Sequence, residues 1–316
     1  MRAAMFRALA AFTLTTLALW SATQAEPIAP VPAAATPDPA RTEIGRRLFN
    51  DTRLSANGKV SCASCHDLAR GGADTGARSV GFDGRPTATN TPTVFNAALN
   101  FRQLWDGRAE SLEAQVGLVI ENPVVMGSRW PDVVAKVAGD PWYRSAFAAA
   151  FPGGVTRASI ESALATYERT LVTRDSRFDA YLRGDRDALS ARERAGYLKF
   201  KQYGCVACHQ GANVGGNMFQ KFGVMGDYFA DRGGESPADL GRYQVTRKES
   251  DRHVFKVPSL RNVEHTAPYF HDGSARTLEQ AVLVMFKYQL GRTASPDDIA
   301  AIVSFLRTLS ATEPVR

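Results

Sequence analysis

Apolar residues recur at helical spacing in several stretches of the chain. Between Thr156 and Val172, the residues Ile160, Ala163, Leu164, Tyr167 and Leu171 fall on one face, and Ile299, Ile302, Val303, Leu306 and Leu309 do the same near the C-terminus. A stripe of this period predicts a helix with one buried side. Caps mark other helix starts: Ser190 with Glu193 and Thr277 with Gln280 are capping-box pairs, and Ser295-Pro296-Asp297-Asp298 supplies an N-cap, a proline at the first helical position and acids in the first turn. Helix-like segments are also predicted over 42–49 and 190–203. Strand-like alternation is scarce, and the stretches 70–100 and 211–255 are long and Gly-rich. The pattern predicts a mainly α fold with long loops.

The N-terminus differs from the rest. Arg2 and Arg7 precede an apolar run from Ala8 to Trp20 and a small-residue exit at Thr23-Gln24-Ala25, which reads as a secretory signal over 1–25. Three threonines interrupt the run, and it is short for a membrane span. Residues 26–41, rich in Pro and Ala, are expected to form a flexible leader. The chain from Thr42 onward is long enough for two domains with a core each. The formal charge of +6 falls to +4 when the two signal arginines leave, so the surface is mildly basic and nucleic-acid binding is not implied.

The candidate chemistry lies in the four cysteines. They form two CxxCH motifs 143 residues apart, Cys62-Ala63-Ser64-Cys65-His66 and Cys205-Val206-Ala207-Cys208-His209. In such a motif the two thiols add to haem vinyl groups as thioethers and the histidine becomes the proximal iron ligand, so two covalently bound haems c are expected. Redox dithiols and zinc sites also use CxxC, but neither requires a histidine directly after it, twice, with no cysteine left over. Each motif follows a helix-like segment, which suggests two c-type cytochrome domains over 42–180 and 181–316, with loops wrapped on haem. Covalent haem attachment and the signal segment together imply export to the periplasm.

The histidines limit the axial ligands. Of five, only His66 precedes the second motif; the others are His209, His253, His265 and His271. The first half therefore has no histidine to stand opposite His66, and its remaining soft side chain, Met126, reads as core. An open sixth position is expected there, the state that binds peroxide or diatomic gases. Met218, Met225 and Met285 are candidates for the second haem. Spacing alone reads Met285 as core, on the face shared with Ala281, Val282 and Tyr288.

Further segments carry a resemblance: Gly45-Arg46-Arg47-Leu48-Phe49, Gly71-Gly72, Asn90-Thr91-Pro92-Thr93, Phe101-Arg102-Gln103-Leu104-Trp105-Asp106-Gly107-Arg108, Val257-Pro258-Ser259-Leu260-Arg261-Asn262-Val263, Ala267-Pro268-Tyr269-Phe270-His271-Asp272-Gly273 and Gln289-Leu290-Gly291. With both haem motifs they make the chain similar to the bacterial dihaem cytochrome c peroxidases and their MauG-type relatives. The resemblance implies peroxide reduction at the N-terminal haem, fed by a higher-potential His209/Met285 haem and by a small periplasmic donor, a cytochrome c or cupredoxin. It makes Met285 the methionine ligand, Trp105 the tryptophan between the haems, Gln115 a distal polar residue, and Asn90, Thr266 and Pro268 the surroundings of an interdomain calcium. Dimers are usual among the proteins it resembles. His271 matches a recurrent residue expected to hydrogen-bond, while His253 and His265 are expected at the surface or in loops. The Asp106-Gly107-Arg108 turn fits either a propionate contact or an ion pair.

The chain departs from the resemblance in two places. Phe82 stands where the family carries a switchable distal histidine, and Val125 where it carries a distal glutamate. Phenylalanine cannot ligate iron, which implies a first haem open without reductive activation. Valine cannot shift protons, and heterolysis of peroxide needs a group that takes a proton from one oxygen and gives one to the other. Gln115 can orient but not ionise. Glu121 is the candidate substitute if its segment is helical, with a solvated surface glutamate as the other reading. The leading expectation is a periplasmic peroxidase. The alternatives are MauG-like oxidation of a partner protein, or a non-enzymatic electron carrier or gas-binding cytochrome.

Overall fold

The computed structural model describes residues 26–33 and 37–311; the expected signal, 1–25, lies outside the described residues. Helix α1 (Pro39–Phe49) begins before the predicted 42, because the Asp38 carboxylate caps the Ala40 and Arg41 N–H groups and Pro39 needs no N–H partner. Then come α2 (Leu112–Glu121), α3 (Trp130–Gly139), α4 (Pro141–Ala150), α5 (Arg157–Glu168), α6 (Arg177–Leu182), α7 (Ala191–Gln202), α8 (Tyr228–Asp231), α9 (Tyr243–Thr246), α10 (Leu278–Val284) and α11 (Pro296–Arg307). Two short antiparallel strands, β1 (Phe219–Lys221) and β2 (Val254–Lys256), pair with Phe219 opposite Lys256. The fold is mainly α, with long loops between α1 and α2 and between α7 and α10.

Caps fix several helix starts as expected. The Ser190–Glu193 box is complete and Ser295 caps α11. The Thr277–Gln280 pair is half a box: Thr277 accepts from the Gln280 N–H, while the Gln280 side chain accepts from Arg276. The helix predicted there changes character midway, since α10 passes at Met285 into a π-helical turn, Met285–Leu290, that ends on left-handed Gly291. Such turns are rare and concentrate at functional sites.

One close helix crossing occurs twice. On α1, a Cβ at Gly45 would lie 2.0 Å from the Ala163 carbonyl oxygen on α5; on α7, a Cβ at Gly196 would lie 1.9 Å from the Ala301 oxygen on α11. Only glycine allows backbones to approach so closely. Each crossing anchors an apolar cluster. One is built from residues between Ile44 and Leu171, the other from Ile28 and residues between Phe178 and Leu309.

Ile28 marks a correction. Residues 26–33 were expected to be flexible, yet Ile28 and Val31 are buried. The Pro27 carbonyl accepts from the Gly211 N–H (2.9 Å), the Ala29 carbonyl accepts from Arg261 (3.3 Å), and the Val31 N–H donates to Asp179 (3.1 Å). Proline and alanine deprive this segment of periodicity, not of partners: its backbone groups are satisfied by the second half of the chain.

Candidate haem sites and the space between them

Each CxxCH motif opens with a short 3-10 turn, Cys62–Ser64 and Cys205–Ala207. The turn brings the histidine N–H back to the first cysteine's carbonyl, at 2.9 Å for His66 and 3.0 Å for His209. A phenylalanine from the preceding helix stands beside each imidazole, Phe49 at 6.4 Å from His66 and Phe200 at 6.3 Å from His209 between ring centroids. No disulfide joins the cysteines. Burial pushes the Cys62 thiol up and Cys205 to about 11, the opposite of the activated thiolate that a redox dithiol needs.

Both histidines are half-buried with desolvated rings, and that desolvation lowers their affinity for protons, His209 to about 4. They are held neutral, as metal ligation requires. His66 Nδ1 lies 3.1 Å from the Gly72 carbonyl, which is itself fixed by the Val94 N–H (3.0 Å). Donation from Nδ1 leaves Nε2 as the free lone pair. His209 Nδ1 makes no hydrogen bond of acceptable geometry, although the Val214 and Pro258 carbonyls lie nearest it.

Over His66 opens a cavity. Cys62, Cys65, Pro92 and Val94 line it from the motif and its following loop, and Gln115, Val119, Val125 and Met126 from α2 and the loop beyond. Its walls are mostly apolar, and besides His66 the polar residues on them are Ser61, Thr93, Gln103, Gln115 and Glu168. Paired cysteines and a neutral imidazole with a free nitrogen fit a haem c. Lys256, which is not among the residues lining this cavity, is buried with no acidic partner among the described residues and is pushed down to about 8 by that burial.

The two sequence departures prove to be one place. The Phe82 N–H donates to the Val125 carbonyl (3.0 Å), Gly81 sits against Val124 so tightly that a Cβ would clash, and a Cβ on Gly127 would meet the Phe82 ring. The Phe82 ring packs on this loop, and Phe82 is not among the cavity's lining residues. Gln115 lines the cavity as expected. Glu121 does not: its side chain is half exposed on the far side of α2, 3.7 Å from Arg157, because six residues turn a helix by well over one and a half revolutions from Gln115. It is set aside as the acid–base group of this cavity.

Trp105 lies against an aromatic cluster of Tyr228, Phe229, Phe255 and Tyr288. Its indole N–H donates to the Asn90 carbonyl (2.9 Å), its own carbonyl accepts from the Lys256 N–H (2.8 Å), and its ring stands 6.3 Å from His271. His271 hydrogen-bonds to Asp239 (2.6 Å) and stacks on Phe255. Asp239, His271 and Asp272 come close enough to hold a cation, but the Arg232 guanidinium already bonds both carboxylates. His253 pairs with Glu235, and His265 is exposed. Arg108 forms an ion pair with buried Asp106 (3.0 Å).

Asn90 is buried and its amide donates to the Gly76 and Ala77 carbonyls (both 3.3 Å), so no described donor reaches its Oδ1. Its N–H bonds the His271 carbonyl (2.7 Å), which brings it to the loop carrying Thr266 and Pro268. Met285 is half buried at the junction of α10 and the π-helical turn. Glu168 and Lys256 escaped the sequence reading. The signal available was a charged residue interrupting otherwise apolar or aromatic surroundings.

Residues 39–187 match the family described as di-haem cytochrome c peroxidase. The cytochrome c551 peroxidase of Nitrosomonas europaea is 46% identical over 290 residues, which span 92% of this chain and 85% of that protein. Methylamine utilization protein MauG of Methylorubrum extorquens is 37% identical over 257 residues, 79% of this chain and 69% of that one. A solved structure described as a MauG-like protein associated with microbial copper homeostasis superposes with a TM-score of 0.79 at 27% identity, covering 93% of this chain and 95% of its own. Among the described residues no helix is long and apolar enough to cross a membrane. A matching family description, near-half identity along nearly the whole chain and a cavity lined by Cys62, Cys65 and His66 agree: this protein belongs to the dihaem cytochrome c peroxidase family and is a haem peroxidase.

Proposed function

We propose that the chain is an exported, periplasmic peroxidase of two haem domains, 42–180 and 181–316, in which hydrogen peroxide reacts over His66 and electrons enter through a His209/Met285 site. The cavity carries this reading: opposite His66 it offers Gln115, Val125 and Met126 and no histidine. A haem bound there supplies an open coordination position and reversible electron storage. Around it, Gln115 orients peroxide by its amide, the apolar walls exclude water, and the Gly72 carbonyl holds His66 in the ligating tautomer. Met285, at the start of the π-helical turn, is the proposed second axial ligand, which favours a high potential. Asn90, through its free Oδ1, with Thr266 and Pro268, is the proposed calcium site, a hard cation suited to neutral oxygens. A small cytochrome c or cupredoxin is the proposed donor.

The test is the electronic and EPR spectrum of the oxidised haem-loaded protein, expected to show one high-spin, five-coordinate haem, followed by peroxide-dependent oxidation of a reduced cytochrome c. A fully low-spin spectrum would assign the sixth position to Met126 and sink the open-site reading.

Trp105 provides a second check. Trp105→Phe keeps an aromatic ring in the cluster but removes the N–H bonded to Asn90 and the readily oxidised indole. Steady-state turnover is expected to fall by about tenfold or more, roughly 1.4 kcal/mol of barrier, while the first encounter with peroxide keeps its rate. Equal loss in both phases would make Trp105 a packing residue.

A MauG-like role, withdrawing electrons from a partner protein, is the second reading, and Phe82 in place of a distal histidine favours it. Peroxide treatment that changes the mass of an exported partner encoded beside this gene would support it; an unchanged mass would remove it.

A further inference from the structure

The twice-used helix crossing sets the two halves in register. Gly45 meets Ala163 and Tyr167 as Gly196 meets Ala301 and Phe305, which makes Glu168 the counterpart of Leu306. Leu306 is 4% exposed and packs in the second apolar cluster. Glu168 is 6% exposed and lines the cavity over His66. A carboxyl stands where the second half has a core leucine, and no hydrogen bond or ion pair reaches it from a described residue. Burial of an unpartnered carboxyl is costly, and such groups persist at functional sites.

Cys65 and His66 line the same cavity, and the other charged and titratable groups near it are few. Arg169, next to it at the C-cap of α5, is drawn away to Glu113 on α2 (2.7 Å). Tyr167 precedes it, and Arg46 on α1, bonded to Glu43, faces that tyrosine. Cys62 lies near enough to feel its charge and becomes an uncharged thioether once haem is attached. Burial dominates, Arg169 opposing and Glu113 adding to it, and the carboxyl is raised to about 7.

We propose that Glu168 is the proton-exchanging group of the first haem pocket, binding a proton when that haem gains an electron and releasing it when the electron leaves. The inference rests on His66 carrying a haem. The balance is simple: one electron from a one-electron reductant enters the iron, one proton from solvent forms one O–H bond on the Glu168 carboxylate, and the charge of the pocket is unchanged. Coupling is reciprocal, so a carboxylate beside the haem favours the oxidised state and an oxidised haem favours the carboxylate. As a group acting through the cofactor's charge, Glu168 tunes the site without touching peroxide.

The experiment is a potentiometric titration of the haem-loaded protein at a series of pH values around 7, with dithionite and mediators. Mass and haem content are measured first, because loss of the first haem would be a failure of the functional reading and not of this one. The wild-type midpoint of the first haem is expected to fall with rising pH, with a slope that Glu168 increases toward a tenfold change in the reduced-to-oxidised ratio per pH unit, about 59 mV for one electron. Glu168→Gln, neutral at every pH, is expected to lose that component, to match the wild-type midpoint at low pH and to lie above it at high pH. Glu168→Asp should retain it, and the second haem should not move. Glu168→Leu, the residue type of the second half, guards against a folding defect specific to glutamine. Propionates titrate in all variants, so the difference between curves is what is read. Parallel curves for wild type and Glu168→Gln would overturn the proposal, as would a wild-type redox difference infrared spectrum lacking a protonated-carboxyl band gained on reduction.

Discussion

Replacing Val125 by glutamate is expected to raise the rate of peroxide reduction by about a hundred- to ten-thousand-fold, the usual worth of a positioned acid–base group. The position is prepared for it. Val125 lines the cavity over His66 with Gln115 and Met126. Its backbone is held at both ends, the N–H by the Asn122 carbonyl (3.1 Å) and side chain (3.3 Å) and the carbonyl by the Phe82 N–H (3.0 Å). The direction of its Cβ is therefore set by the loop and survives a change of side chain. A carboxyl placed there is partly desolvated, which raises its pKa toward the neutral range where a group can both accept and return a proton. Glu121 does not compete, being held outside near Arg157. The control is Val125→Gln, of similar size and unable to ionise. Stopped-flow traces in which Val125→Glu reacts no faster than Val125→Gln, both with full haem content, would show that proton transfer does not limit this site.

The helices and the two haem motifs were legible because their causes are local: a capping serine, a proline at the first helical position, a five-residue motif. Glycine at 45 and 196 carried the crossing, but its meaning depends on Ala163 and Ala301, more than a hundred residues away in each case. Helices α3 and α4, which complete the first core through Trp130, Val133, Val137, Tyr143 and Phe147, went unread although Asp140 caps α4. The junction of Phe82 with Val125 was hidden for the same reason as the crossing, since a backbone hydrogen bond between loops leaves no periodic trace. Glu168 was hidden differently. Its neighbours Tyr167 and Leu171 were read as the buried face, so the glutamate between them passed for the wet side of the helix. Setting Tyr167-Glu168-Arg169-Thr170-Leu171 beside Phe305-Leu306-Arg307-Thr308-Leu309 exposes it from sequence alone.

Replacing Arg261 by methionine is expected to destabilise the protein by about 3–5 kcal/mol, the cost of leaving a buried charge without its partner. Arg261 and Asp179 are both fully buried, with nitrogens 2.7 and 2.9 Å from the two carboxylate oxygens. The guanidinium spends its remaining donors on the Ala212 carbonyl (3.0 Å), the Ser176 hydroxyl (3.1 Å) and the Ala29 carbonyl (3.3 Å). Asp179 also accepts from the Val31 N–H and the Ser176 hydroxyl. One ion pair thus fastens three segments: 26–33, the start of α6, and the loop after His209. Swapping both members for apolar residues, as in Arg261→Met with Asp179→Leu, often restores stability in other buried pairs. Here it should restore only part, because the Ala29 and Ala212 carbonyls and the Val31 N–H would lose partners that no apolar side chain replaces. Urea unfolding of the haem-loaded protein reads both effects as a lowered midpoint. A loss below about 1 kcal/mol in the single variant would place the pair among exposed ones in strength. The functional consequence falls on the second haem: the 212–214 loop, held by Arg261 and by Ser259 on Asn213 (2.8 Å), carries the Val214 carbonyl beside His209. Release of that loop frees the imidazole that the electron-entry site depends on, so a shift in the second haem's spectrum should precede global unfolding in Arg261→Met and coincide with it in the wild type.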